Sequence, residues 1–176
     1  MVLILRFIGV MNAAVWFGGA WFFTFAVAPA FLAPEMQAIL GEVYAGVIAQ
    51  MLVARYFHLV YACGALAILH QAAEWLYLRR VLPRLTLGLL LATLSLGLIG
   101  GLWLQPKLRN LHQVENGREG VYPPEQKEAA ARAFVWWQGV SQVLNILALG
   151  GLSIYFWRVT QAANAPRFIP AIKFRS

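Results

Sequence analysis

The residues able to do chemistry in this chain are few, and most of them carry no charge. Gln138, Ser141, Gln142 and Asn145 fall at spacings of three, four and seven, which places them on one face of a helix. Amides and hydroxyls so arranged either hydrogen-bond a neighbouring helix or wall a polar path. His58 and His70 are twelve residues apart, about 18 Å along a helix axis at about 1.5 Å per residue, so they do not share a metal. His70 and Glu74 are four apart and within reach of one another. Cys63 is the single cysteine, which excludes an intramolecular disulfide and any cysteine-based zinc motif and leaves a small packing residue. No nucleophile–base pair, phosphate loop or metal-spaced carboxylate pair is visible.

These groups sit in a chain that is 61% hydrophobic and 12% charged, about half the charge usual in a soluble domain. So much apolar surface on 176 residues calls for lipid as the solvent. Four stretches free of charge, or nearly so, predict spans over 7–34, 56–78, 85–105 and 133–157, separated on one side by a polar loop over 107–132. The first is too long for a signal-peptide core and reads as a retained helix. Backbone groups in lipid must be paired within their own segment, so the spans are helical. The predicted fold is all-α, a single domain over 1–176 forming an integral membrane four-helix bundle with antiparallel neighbours.

Call the N-terminal side of the bundle side A. Arg6, Arg79, Arg80, Arg84, Arg158, Arg167, Lys173 and Arg175 fall there, with Glu74 as the one acid nearby. Side B receives six basic residues and six glutamates, so the whole excess of +7 lies on side A. The positive-inside rule then makes side A cytoplasmic, with both termini inside, as in a bacterial inner membrane. Because the basic residues flank apolar runs, the charge reflects topology and implies no nucleic acid partner.

The connections differ in kind. Leu78 to Pro83 is a tight link, and 35–54 reads as a short helix on the side-B surface. Gly117, Gly120 and the Pro123-Pro124 pair mark 115–124 as loop, after which Glu125 to Arg132 runs as helix into span four. The tail after Trp157 is polar and broken by proline.

Depth adds a pattern. Thr24, His58, Trp103, Gln105, Trp137, Gln138 and Ser141 come from four spans and all map to the side-B half, under a rim of Arg55, Arg109 and Arg132. This predicts an outward-facing vestibule in which His58, Gln105, Gln138 and Ser141 form one hydrogen-bonded group, with Asn145 extending it inward and Arg109 or Arg132 near its mouth. Gly18 and Gly19 in span one, and Gly97 and Gly101 in span three, are expected where helices pack closely. Pro29 frees a carbonyl near side B.

Four motifs in order also carry a resemblance. Trp16-Phe17-Gly18-Gly19 leading to Ala28-Pro29, Tyr56-Phe57-His58, Trp103-Leu104-Gln105-Pro106, and Trp137-Gln138-Gly139-Val140-Ser141 with Asn145 resemble the transmembrane protein 205-like family. The resemblance implies a four-helix membrane domain. The vertebrate namesake's association with cisplatin export rests on membrane sulfur atoms. This chain departs there, with only Cys63, Met11 and Met51 near membrane depth. The layout is loosely similar to copper-resistance D proteins and to HemJ-type protoporphyrinogen oxidase, which depend on membrane histidines.

The expectation is therefore a non-enzymatic membrane protein without a metal site. It binds or passes a small ligand through the vestibule, or serves as an accessory subunit of a larger membrane complex. Its partners are the lipid bilayer and a second copy or another membrane chain. The alternative is a haem- or metal-binding oxidoreductase using His58, with His112 as second ligand.

Overall fold

A computed structural model of the chain describes residues 2–78, 84–117 and 121–164. The expected 79–83 link, Gly120 of the expected loop and the tail beyond 164 lie outside them. Every element among the described residues is helical. Span one is α1 (Val2–Phe22), a π turn (Phe23–Val27) and α2 (Ala28–Leu32). A short α3 (Pro34–Leu40) leads to α4 (Glu42–Leu78); α5 (Arg84–Leu98) passes through a second π turn (Ile99–Leu104) into α6 (Gln105–Glu115); α7 (Pro124–Asn164) completes the chain.

Four helices are long and apolar enough to cross a membrane: Leu3–Phe31, Val43–Tyr77, Arg84–Glu115 and Pro124–Gln161. The last three outrun the apolar stretches on side B, because once a helix is nucleated its polar continuation adds one hydrogen bond per residue. The segment 35–54 is accordingly not a separate surface helix. Only α3 stands apart, and the break falls at Gly41, whose φ of 76° is open to glycine and strained for other residues. From Glu42 the chain runs straight into span two. Of the loop expected over 115–124, the described residues 116, 117 and 121–123 lie outside helix, with α6 ending at Glu115 and α7 starting at Pro124. The helix expected over Glu125–Arg132 continues into span four and on past Trp157 to Asn164.

Proline explains both π turns. Pro29 and Pro106 each lie two residues beyond a π turn and have no N–H to give. The N–H of Ala28 bonds Phe23 and that of Gln105 bonds Gly100, five residues back in each case. The carbonyls of Thr24 and Gly101 thus lose the donor four residues on to a neighbour, and face a proline nitrogen five residues on.

In the bundle α1 lies between α4 and α7, and α5 lies between the same two helices. Numbers rise along one helix as they fall along its neighbour. On α1 and α4, Leu5 meets His70, Asn12 meets Cys63 and Phe23 meets Tyr56. On α1 and α7, Trp16 meets Tyr155 and Thr24 meets Asn145. Trp16, Leu90, Leu104 and Tyr155 are the largest fully buried side chains, and Trp16, Leu90 and Tyr155 belong to one core cluster.

Candidate functional site

The inward face of α4 is set by Val60, Cys63, Gly64, Ala67, His70 and Gln71, all buried, at helical spacings of three and four. His58 stands two positions before Val60, about 200° around a helix that turns about 100° per residue, and so faces outward. It is exposed, and its Nδ1–H donates to the carbonyl of Ala54 at 2.7 Å on its own helix. The expected hydrogen-bonded group does not form among the described residues, because helical phase turns His58 away from it. Gln105, Gln138 and Ser141 are half-buried and Arg109 is exposed. Asn145 is committed elsewhere: its Nδ2 donates to the Thr24 hydroxyl at 2.9 Å, tying span four to the first π turn.

The His58–His112 ligand pair does not converge either. The His112 ring lies against Gly46 and beside Phe134, their rings 5.7 Å apart. Gly46 is twelve residues from His58 along α4, about 18 Å of helix. Axial ligands of one haem must face each other across a single iron, which this separation forbids. Among the described residues no group of three or more His, Cys, Asp or Glu side chains could hold a metal ion.

Polar burial falls instead in the side-A half and the middle of the bundle. Asn12, His70, Gln71, Thr86 and Thr93 are the buried polar residues among those described. Two of them serve the backbone: Asn12 Nδ2 donates to the Cys63 carbonyl, and His70 Nε2–H donates to the Leu5 carbonyl, each at 2.9 Å. A side chain at Gly9 would run into the His70 ring, so Gly9 is what admits the imidazole. Gln71 lies beside Tyr155 and keeps an unpartnered Oε1. Sequence reasoning paired His70 with Glu74 and missed Gly9; no helical pattern shows which glycine faces a ring on another helix.

The glycines divide. Gly97 meets Val60, Gly101 meets Tyr61 and Phe57, and Gly19 meets Leu59. Gly18 has open space where a side chain would stand, so it sits at no helix contact. Tyr61 stands against Gly101 with its hydroxyl buried and unpartnered.

On the outer surface α7 presents Gly139, Gln142, Val143, Ile146 and Gly150, all exposed and recurring at spacings of three and four. Nothing occupies the space beside Gly139 or Gly150. Gln142 holds its amide outward at membrane depth, where hydrocarbon offers it no partner.

At side B, Lys107 lies over two indoles, its Nζ 3.7 Å from the centre of the Trp137 ring and 5.2 Å from that of Trp103. The two rings stand at 88° to each other, and Trp136 packs against Trp137 at 85°.

No curated protein and no solved structure matches the chain. A family match covers residues 11–116, from the middle of α1 to the end of α6, and α7 lies beyond it. That match takes in more than half the chain, and the protein belongs to the family of the domain of unknown function DUF4149.

Proposed function

We propose that the protein is a non-enzymatic subunit of a membrane assembly, and that it pairs with a second copy of itself through the outer face of α7. The observation that carries this reading is Gln142, an amide exposed at membrane depth on a face with open space at Gly139 and Gly150. An amide both donates and accepts, so two copies of Gln142 related by a twofold axis satisfy each other. Small residues on the same face let the helices come close enough for that bond. Passage of a ligand through the bundle has less support, since Trp16, Leu90 and Tyr155 pack together in its core. The likeness to the transmembrane protein 205-like family fits this reading, as does a placement in a bacterial inner membrane with both termini cytoplasmic, which rests on the side-A charge excess.

Cysteine cross-linking in native membranes tests the proposal. In a Cys63→Ala background, Ile146→Cys should give a disulfide-linked pair of twice the chain mass, and the buried Leu152→Cys should not. Gln142→Leu should reduce the yield. A product of any other mass, or equal yields at 146 and 152, would overturn the second-copy reading. The haem alternative lacks its second ligand in this geometry, and the absorption spectrum of the purified protein, expected without a Soret band, checks what remains of it.

A further inference from the structure

The Lys107 cluster has a use that neither packing nor pairing through α7 accounts for. Trp103 and Trp136 are 53% and 63% exposed, so the cluster stands on the outer surface where α6 and α7 meet. It lies at the side-B end of the apolar stretches, the level of lipid headgroups. Two indole faces hold the lysine ammonium in place. Among the described residues, the ammonium makes no hydrogen bond and no ion pair; Lys127, by contrast, is spent on the Gly117 carbonyl. The indole N–H groups of Trp103 and Trp136 likewise have no acceptor among the described residues. A fixed positive charge, flanked by uncommitted N–H donors and apolar ring surface, faces the membrane at headgroup depth.

We infer that Lys107, with Trp103, Trp136 and Trp137, binds the phosphodiester of an anionic phospholipid in the side-B leaflet. The phosphate oxygens accept from the ammonium and the indole edges, and the acyl chains lie along the exposed ring faces. A net-negative headgroup is selected because a zwitterionic one brings its own ammonium towards Lys107.

Native mass spectrometry of the detergent-purified protein titrated with phosphatidylglycerol or phosphatidylcholine tests the site. The wild type should retain one phosphatidylglycerol above the statistical background, with no matching phosphatidylcholine peak. Lys107→Met keeps the stem against the indoles and removes the charge; it should lower phosphatidylglycerol occupancy roughly fivefold while the melting temperature stays near that of the wild type. Should Lys107→Met fail to fold, Trp136→Leu, which alters an exposed ring edge, should lower occupancy in the same direction. Inorganic phosphate added in millimolar excess should leave the bound lipid in place. Equal occupancy by the two lipids, equal occupancy in wild type and folded variant, or displacement by inorganic phosphate would overturn the inference. Cross-linking at 146 reads chain association and the lipid titration reads phospholipid occupancy, so the pairing proposal and this one fail separately.

Discussion

The Nε2–H of His70 reaches the main-chain carbonyl of Leu5 over 2.9 Å, and Gly9, one turn further along α1, leaves the gap that the imidazole fills. A buried ring is thus held between two helices by one hydrogen bond and one missing side chain, at the end of the bundle where α1 begins.

Gly9→Ala should therefore be destabilising by about 1–3 kcal/mol, the usual cost of forcing extra volume into a packed site. Gly18→Ala, on open surface of the same helix, should be neutral or stabilising by up to about 1 kcal/mol through helix propensity. Thermal unfolding of both variants in one detergent checks the contrast, and equal shifts would contradict the contact.

The bond from Asn145 to Thr24 is open to a double-mutant cycle. Asn145→Leu and Thr24→Val should each lower stability, with a coupling of about 0.6–1.7 kcal/mol, the range for interhelical hydrogen bonds in membranes. Additive effects would mean that the two side chains do not depend on each other.

Gly41→Ala should cost about 1–3 kcal/mol, because the added Cβ opposes the positive φ that separates α3 from α4. The strain is local. Hydrogen exchange should quicken around 34–45 and stay unchanged in the spans.

Topology has a direct test. A reporter fused after Ser176 that is active only outside the cytoplasm should remain silent if, as the positive-inside rule applied to the basic excess predicts, that end is inside. Signal from it would invert the assignment of sides.

The architecture was legible because lipid leaves a helix few alternatives: four apolar runs had to be four helices, and the structure has them. The Gly117 and Pro123-Pro124 signals placed the long loop. What the sequence did not show was phase. His58 lies at the right depth for a vestibule and on the wrong face, and its outward turn shows only when Val60, Cys63 and Ala67 are known to point in. Asn145 was grouped with its own helix face, whereas its partner is Thr24 on another helix, 121 residues away. Gly97 and Gly101 do pack closely, whereas Gly18, in an equally suggestive motif, does not. Small residues mark where a contact is allowed, and only the neighbouring helix decides whether one is made.

The two π turns bear on how such a chain tolerates insertion and deletion. A π turn is a helix carrying one residue more than its rise requires, and the stretches on either side of it are offset in phase. A proline and its surplus residue then form one unit of change. Removing a residue from Phe23–Val27 together with Pro29→Ala should leave α1 and α2 joined as a plain helix with both ends in place. The same deletion made in the middle of α4, which has no such reserve, would swing half of its side chains about 100° away from the neighbours they now touch. Relatives lacking one of these prolines are expected to be one residue shorter at that turn, and a gap in their alignment there would mark a helix of unchanged reach.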